Sequence, residues 1–361
     1  AGRDADARRV IRHGLIVGLI ASALLLCAGA ALSAPLPRWL GGEAEILADA
    51  SAYFLVFALA IPFGQMNALA SSCLQCSGNM VTPSVLNAAM CGLDVVFNAL
   101  LIPRFGVLGA GMGTGLAMAV VSLALLWCCC VRSPTLRLTR REPCPLDTGI
   151  LRRALKIGTP VAGQEIAMCG AMVASTRIIA SLGTAAIAAN SFAVTAESLC
   201  YMPGYGISSA ATTLVGQSVG AGDQHQARRF AGISTVFGAV VMTLAGAAMW
   251  LACPLVFQLL TPSLEVRALA AEVLRIELLA EPLYAVSIVA SGALRGAEDT
   301  LVPSVLNLLS IWVVRIGLSL LLVGWLGLHG VWIAMAVELC VRGLLMLLRL
   351  RTSKHLVSKQ Q

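Results

Sequence analysis

The chain has 361 residues, of which 58% are hydrophobic and only 12% are charged, and its formal net charge is +7. Soluble domains carry about 25% charged residues, so this composition excludes an ordinary soluble enzyme and predicts that much of the surface faces lipid. The basic residues lie in short loops between apolar segments, which is typical of membrane topology and not of a patch that binds nucleic acid.

Four apolar segments fill the first part of the chain, and each has at least the roughly 20 residues that a helix needs to cross a bilayer. Pro35 ends the first segment, and Pro62 inside the second predicts a bend. The polar stretch 132–148, rich in Arg and Pro, is predicted to be a cytoplasmic linker. The four segments are residues 10–32, 44–76, 83–102 and 109–130.

Six further apolar segments follow the linker, and Pro203 and Pro282 predict bends inside two of them. We therefore predict an all-α integral membrane protein with about ten transmembrane helices. An N-terminal lobe of four helices covers residues 1–131, a C-terminal lobe of six covers 149–352, and a tail covers 353–361. The six segments are residues 157–182, 185–219, 227–253, 264–294, 302–323 and 328–350.

The distribution of Lys and Arg predicts the orientation in the membrane. Of the 25 basic residues, 18 lie in loops and chain ends on one side of the predicted bundle, and 3 lie on the other. Because positively charged loops stay in the cytoplasm, both ends of this chain and the linker are predicted to be cytoplasmic. We expect a multi-pass protein of the cell membrane.

An internal repeat is the strongest signal in the sequence. The string Pro-Ser-Val-Leu-Asn at residues 83–87 recurs at 303–307, an offset of 220, and Pro62 matches Pro282 at the same offset. The repeat predicts two parallel, inverted-V-like helical bundles related by a pseudo-two-fold axis along the membrane normal. Two such lobes around a central cavity suit a transporter that works by alternating access.

The repeat extends further in both directions. Ala1 matches Ala221, and Gly106 matches Gly327 one residue out of step. The second copy has two helices before Ala221, whereas the first copy begins at Ala1. We therefore expect that this sequence is N-terminally truncated and lacks the first two of twelve helices.

Several strings resemble the multidrug and toxic compound extrusion (MATE) family. Gly-Thr-Pro at residues 158–160 opens the fifth helix, residues 197–206 read Glu-Ser-Leu-Cys-Tyr-Met-Pro-Gly-Tyr-Gly, and Leu-Arg-Gly begins at Leu294. The resemblance implies a secondary antiporter that exports amphipathic, often cationic, drugs or toxins in exchange for H⁺ or Na⁺. We expect no cofactor apart from that coupling ion, no metal site, and a monomer in the lipid bilayer.

Ionisable side chains inside a membrane are costly and mark functional sites. An antiporter needs a carboxylate that binds the coupling ion in one step and attracts a cationic substrate in another, and nearby tyrosines can add cation–π contacts. The candidate substrate- and ion-binding residues are Asp94, Asn98, Gln164, Glu165, Glu197, Tyr201, Glu281 and Tyr284.

Some of these candidates depart from the pattern of the family that the chain resembles. Its members often carry Asn followed by Asp four residues later, whereas here Asp94 precedes Asn98 on one helix face. Relatives often place Glu four residues after the proline of the fifth helix. This chain has Gln164 there, and Glu165 follows about 100° further round the helix.

A second group of residues is predicted to shape or gate the structure. The two asparagines, at matched repeat positions, are expected to tie helices together, and the arginine lies at the cytoplasmic face. Glu338 is expected to pair with Arg342 four residues later, and Glu277 with Arg275 or Arg315. The group is Pro62, Pro203, Pro282, Arg295, Asn87 and Asn307.

Three alternatives remain beside the antiporter. A flippase for a lipid-linked polysaccharide precursor would need a more basic cavity, whereas the intramembrane arginines here are matched by about as many carboxylates. A non-functional truncated fragment is the second alternative. An intramembrane enzyme is the third, but no HExxH motif is present. The CxxC at Cys73 and Cys76 is interpreted as core cysteine, not as a metal or redox site.

Overall fold

The computed structural model describes residues 4–39, 47–138 and 147–353, and all regular secondary structure in these ranges is helical. Residues 139–146 of the predicted linker and residues 354–361 of the predicted tail lie outside the described residues. The helices are α1 (Asp4–Leu32), α2 (Pro35–Trp39), α3 (Leu47–Cys76), α4 (Val81–Trp127), α5 (Thr148–Ala180), α6 (Thr184–Gly220), α7 (Gln224–Leu260), α8 (Leu264–Leu278), α9 (Glu281–Gly296), α10 (Leu301–Leu309) and α11 (Gly317–Thr352), with π-helical turns at Cys128–Arg132 and Ser310–Ile316.

The packing divides the chain into two compact units, Gly2–Leu151 and Arg152–Gln361, which we call the N-terminal and C-terminal units. In the N-terminal unit α3 packs against α1 and α4. In the C-terminal unit α6 packs against α7, α8 and α9, and α11 packs against α8 and α9. The core of the C-terminal unit includes Ala189, Ala193 and Ala196 of α6. Such small side chains let helix backbones approach closely.

Within the described residues, five helices are long and apolar enough to cross a membrane. Two of them, Val81–Arg132 and Leu301–Thr352, have 52 residues each. At 1.5 Å per residue that is about 78 Å of helix, whereas the hydrocarbon core of a bilayer is about 30 Å thick. Neither helix can be straight within a membrane. The other three are Asp6–Leu32, Leu47–Cys76 and Gln224–Leu260.

Helix α4 folds back on itself at Gly106. This residue has φ 57° and ψ −132°, a conformation that glycine adopts at little cost. A Cβ on Gly109 would collide with the carbonyl oxygen of Leu101, eight residues earlier. In a straight helix those residues would lie about 12 Å apart along the axis. Helix α4 therefore consists of two antiparallel limbs, residues 81–105 and 107–127.

The second repeat folds back in the same way at Gly327, where φ is 55° and ψ is −131°. A Cβ on Gly330 would lie 2.6 Å from the carbonyl oxygen of Leu322. The predicted match between Gly106 and Gly327 is thus confirmed in the backbone. If the limbs are counted separately and α8–α9 counts as one broken helix, the described chain has ten long helical segments, as predicted.

The turn before each folded-back helix is repeated as well. Gly78 has φ 92°, and Glu298, its partner at the offset of 220, has φ 64°. The N–H of the next residue, Asn79 or Asp299, donates at 3.0 Å to the carbonyl five residues earlier. This pattern is the usual C-terminal cap of a helix, in which a left-handed residue lets the chain satisfy the last carbonyls.

The one-residue step in the repeat has a structural cause. Pro83 and Pro303 are offset by 220, whereas Leu101 and Leu322, which contact matching glycines, are offset by 221. The π-helical turn Ser310–Ile316 lies between these positions in the second copy. Because a π turn takes one more residue than an α turn, it accommodates the insertion without breaking the helix.

The three predicted bends differ in outcome. Helices α3 and α6 continue through Pro62 and Pro203. Pro282 instead stands in the first turn of α9, after a break at Leu279 and Ala280, so the prediction of one helix over 264–294 was wrong. Proline is favoured in a first turn because its missing N–H is one that the helix leaves unbonded anyway.

Candidate ion and substrate site

The two candidates of the N-terminal unit lie one turn apart on the first limb of α4. Asp94 and Asn98 are both partly buried, and the Oδ1 atom of each is enclosed without a hydrogen-bond partner in the described structure. Asn98 packs against Gly113 of the second limb, where no side chain would fit. This pair has polar atoms available for a ligand but no charged partner among the ion pairs of the described residues.

The candidates on α5 point in different directions. The Oε1 atom of Gln164 accepts a hydrogen bond of 3.2 Å from Nδ2 of Asn307, so this asparagine ties α10 to α5 as expected. Glu165, the next residue, is exposed on the adjacent face of α5. Glu165 was predicted to bind the ion or the substrate, but it does not lie with the buried groups that are described next.

Three glutamates are buried together in the C-terminal unit, and we call them the carboxylate cluster. Glu197 lies on α6, Glu277 in the last turn of α8, and Glu281 at the start of α9. Glu277 and Glu281 are fully buried, and Glu197 is 4% exposed. The helix break before Pro282 places two glutamates on either side of a turn, close enough to interact with each other and with Glu197.

The carboxylates of Glu277 and Glu281 lack hydrogen bonds. All four of their oxygens are buried and without a partner in the described structure. Glu281 packs its Cβ and Cγ tightly against Gly246 of α7, at 3.4 and 3.2 Å from the position of an ideal Cβ there. Buried carboxylates without hydrogen bonds are costly, which makes this pair the strongest candidate in the described structure for a functional site.

Two arginines face the cluster. Arg315, from the π-helical turn, and Arg342, from α11, are close enough to attract the Glu197 carboxylate. Arg342 also pairs with Glu338, with 3.1 Å between Nε and Oε1, so that predicted pair is confirmed. Ser310 donates to the same Oε1 at 2.9 Å.

Glu277 was predicted to pair with Arg275 or Arg315, and only Arg315 lies near it. Arg315 is the arginine near it, but no hydrogen bond joins the two among the described groups. Arg275 turns away, because its guanidinium lies 5.7 Å above the ring of Trp250 and interacts with Cys253. Neither predicted ion pair of Glu277 is therefore present among the described residues.

A group of tyrosines borders the carboxylates. Tyr201 makes edge-to-face contacts with Tyr205 and Tyr284, at centroid distances of 5.7 and 5.8 Å. The guanidinium of Arg342 lies 5.4 Å from the centroid of the Tyr284 ring. Tyr284 is buried and Tyr205 is exposed, so the aromatic group reaches from the carboxylates to the surface of the unit.

The charges of this region do not balance. Four buried carboxylates, Glu197, Glu277, Glu281 and Glu338, face two guanidiniums, those of Arg315 and Arg342. An excess of buried negative charge attracts protons, metal cations or organic cations.

Sequence reasoning missed several residues of these networks. Glu277 was expected to pair with Arg275 or Arg315 and was not assigned to the site, because the helix break between Glu277 and Glu281 was not predicted. In the N-terminal unit Asn87 bonds to Asn67 at 3.2 Å and to Ser71 at 3.3 Å. That contact confirms its predicted role as a tie between helices. No sequence signal singled out Asn67.

The predicted gating arginine, Arg295, is exposed at the end of α9. The neighbouring Asp299 is buried and is held by Arg349 of α11, with 2.7 Å between Nη2 and Oδ2, and by Ser353 at 3.0 Å. The charged contact at this end of the unit thus uses Asp299 rather than Arg295.

The family model described as MatE matches residues 1–100 and 160–321, more than half of the chain. A probable multidrug resistance protein NorM from Chromobacterium violaceum is 27% identical over 360 residues, which cover 94% of this chain and 75% of the relative. A protein of the same name from Pseudomonas aeruginosa is 30% identical over 360 residues, covering 92% and 71%.

Solved structures show the same fold. An outward-facing multidrug resistance MATE family transporter of the MOP superfamily superposes with a TM-score of 0.89 at 22% identity, covering 95% of this chain and 78% of that one. A MOP superfamily transporter from Pyrococcus furiosus, described by the reverse polarity of its binding pocket, gives the same values.

Repeated, folded-back apolar helices that enclose ionisable groups define a multi-pass membrane protein of the transporter class. Within that class, the chain belongs to the MatE family, that is, the multidrug and toxic compound extrusion family.

Proposed function

We propose that this chain is a secondary antiporter that exports amphipathic, cationic organic compounds from the cytoplasm in exchange for H⁺ or Na⁺. It is proposed to act as a monomer in the cell membrane, with both ends of this chain in the cytoplasm, and not as an enzyme. The observation that carries the proposal is the pair Glu277 and Glu281, whose four carboxylate oxygens are buried without hydrogen bonds.

The carboxylate cluster supports ion coupling for an electrostatic reason. A buried carboxylate without partners is stable only when a cation neutralises it. A coupling ion and a cationic substrate that bind the same carboxylates compete for them, so each weakens the binding of the other. Such competition is what links the export of one to the import of the other.

The surrounding groups support an organic cation as the substrate. Tyr201, Tyr205 and Tyr284 offer ring faces and edges beside the carboxylates, and aromatic rings attract desolvated cations. The net negative balance of the cluster argues against the anionic substrate of a polysaccharide-precursor flippase. That alternative would need guanidiniums in excess.

The test is efflux of a fluorescent cationic dye from vesicles that contain the purified chain, driven by an imposed H⁺ or Na⁺ gradient. Glu281→Gln removes the charge and keeps the shape, so we expect at least about a tenfold loss of gradient-driven efflux. The matched control is Glu272→Gln. That glutamate lies on α8 but is exposed and contacts His329, so efflux should be unchanged.

Two results would contradict the proposal. If Glu277→Gln and Glu281→Gln both transport the dye as well as the original chain does, the carboxylate cluster is not the coupling site. If neither an H⁺ nor a Na⁺ gradient drives efflux of the original chain, the antiporter proposal itself is wrong for this chain. The gradient that drives efflux identifies the coupling ion.

A further inference from the structure

Three thiols from two elements meet at one end of the N-terminal unit. Cys73 lies in the last turn of α3, and Cys129 and Cys130 lie in the π-helical turn after α4. Cys73 and Cys130 both pack against the apolar cluster in which Cys129 is buried, and the three thiols are near enough to interact electrostatically. Cys129 is buried in an apolar core that includes Leu74, and Cys73 is half-buried beside it.

The backbone holds the π-helical turn in this position. After the turn the chain folds back, and the N–H of Ser133 donates to the carbonyl of Cys128 at 2.9 Å. The N–H of Leu138 donates to the carbonyl of Cys130, also at 2.9 Å. Because the turn packs on α3 and these two hydrogen bonds hold the chain after it, Cys129 stays in the apolar cluster against which Cys73 packs.

A metal site does not explain this cluster. Within the described ranges, no group of three or more His, Cys, Asp or Glu side chains is arranged to hold a metal ion. Thiols that are close, lie on different elements and are not ligands to a metal have one other common chemistry, which is formation of a disulfide.

We propose that Cys73 and Cys129 form a reversible disulfide when the cell meets peroxides. The half-buried Cys73 thiol attacks hydrogen peroxide, the O–O bond breaks, and one water leaves as Cys73 becomes a sulfenic acid. The Cys129 sulfur then attacks that sulfenic sulfur, the S–O bond breaks, and the Cys129 proton leaves with the second water. Two thiols and one peroxide give one disulfide and two waters.

The surroundings fit a transient bond and not a permanent one. The cluster lies beside the start of the predicted cytoplasmic linker, and the cytoplasm keeps thiols reduced unless an oxidant is present. The disulfide would join the end of α3 to the segment that leads into the linker. This inference does not depend on the proposed substrate or coupling ion.

The experiment uses the full purified chain. It is treated with hydrogen peroxide, the remaining thiols are alkylated in denaturant, and the peptides are identified by mass spectrometry. Trypsin cleaves at Arg104, so Cys73 and Cys129 fall in different peptides. We expect one linked peptide pair, loss of two alkylated thiols, and full recovery of both after reduction with dithiothreitol.

Variants separate the pair from its neighbours. Cys129→Ala should abolish the linked peptides and leave Cys73 as a sulfenic acid that reacts with dimedone. The matched control is Cys200→Ala in the C-terminal unit. Cys200 is also a buried cysteine, but it belongs to the other unit, so this change should leave the Cys73–Cys129 bond intact.

Two outcomes would overturn the proposal. One is a peroxide-treated original chain in which Cys73 and Cys129 remain alkylated while exposed cysteines such as Cys27 are oxidised. The other is a disulfide that joins Cys73 to Cys76 on the same helix. Both results come from the original chain, so they stand even if a variant folds poorly.

Discussion

The two folded-back helices share a backbone but differ in what they bury. Gly106 and Gly327 turn each helix with nearly the same φ and ψ angles. In the C-terminal copy the second limb carries the ion pair of Glu338 and Arg342, whereas the equivalent residues of the N-terminal copy are the buried Ala117 and Val121, at the offset of 221.

The same difference extends to the preceding helices. Glu277 and Glu281 correspond, at the offset of 220, to Phe57 and Ile61 of α3. The N-terminal copy instead uses the neutral network of Asn67, Ser71 and Asn87. Duplication thus preserved the turn geometry, whereas the three buried glutamates of the carboxylate cluster lie in the C-terminal copy and the partly buried Asp94 lies in the N-terminal copy. The fold-back glycines are shared because both copies need the same backbone, whereas the buried charges differ between the copies and point to function.

The largest expected effect comes from moving charge into the uncharged copy. Ala117→Glu would place a carboxylate at a buried position that is now apolar, and we expect a loss of about 3–5 kcal/mol of stability. The double variant with Val121→Arg recreates the spacing of Glu338 and Arg342 and should regain part of the loss. Thermal unfolding of the detergent-solubilised protein measures both.

Ala117→Gln is the control for side-chain size, because it adds similar volume without charge. It should destabilise less than Ala117→Glu. Equal melting temperatures for Ala117→Glu and the original chain would mean that the N-terminal copy tolerates charge as well as the C-terminal copy does, and the comparison would fail.

An intermediate effect is expected where the limbs touch. Gly330→Ala and Gly109→Ala each place a methyl group against a backbone carbonyl, so each should cost about 1–3 kcal/mol. The matched controls are Gly324→Ala and Gly92→Ala, where a Cβ meets nothing within 4 Å. Since alanine favours helix, the controls should be neutral or stabilising.

These four variants are compared by thermal unfolding under identical detergent conditions. The two copies should respond alike, because the close approach belongs to the shared backbone. A large loss at Gly330 with none at Gly109 would show that the fold-back is not equivalent in the two units.

The smallest expected effect concerns the repeated helix cap. Gly78→Ala places a Cβ on a residue with φ 92° and should lower the stability by about 1 kcal/mol. Glu298→Gly removes the Cβ from a residue with φ 64° and should raise the stability by up to about 1 kcal/mol. Glu298 also pairs with Arg153 at the surface. Glu298→Ala, which loses the pair but keeps the Cβ, therefore serves as the control.

A melting temperature of Glu298→Gly at or below that of Glu298→Ala would contradict the cap argument. It would mean that a Cβ at this left-handed backbone position does not lower the stability. The resemblance of the two turns would then have no energetic consequence.

Much of the fold could be predicted because its signals are local or repeated. Apolar length marks the spans, and the match of residues 83–87 with 303–307 marks the duplication. The break before Pro282 was missed because a proline inside an apolar run is compatible with a kink or with a new helix. Only the packing of α8 and α9 on their neighbours selects the second outcome.

The candidate site was only partly predictable. Glu197, Tyr201, Glu281 and Tyr284 are indeed grouped in the structure, but Glu277 was assigned to an ion pair and Glu165 lies apart on an exposed face. Spacing along one helix cannot reveal which residues of α6, α9 and α11 meet. The partner of Glu197 comes from a π-helical turn more than 100 residues away.

The sequence by itself determined that this chain is a duplicated, membrane-embedded helical protein. Apolar length, basic loops and repeated Gly and Pro are properties of short segments. The tertiary structure alone decided that the carboxylates of Glu277 and Glu281 lack hydrogen bonds in the described structure and that Arg275 turns to Trp250. It also packed Cys73 against the cluster that contains Cys129. The physical reason is that electrostatic and thiol chemistry depends on distances of a few ångströms between residues far apart in the chain.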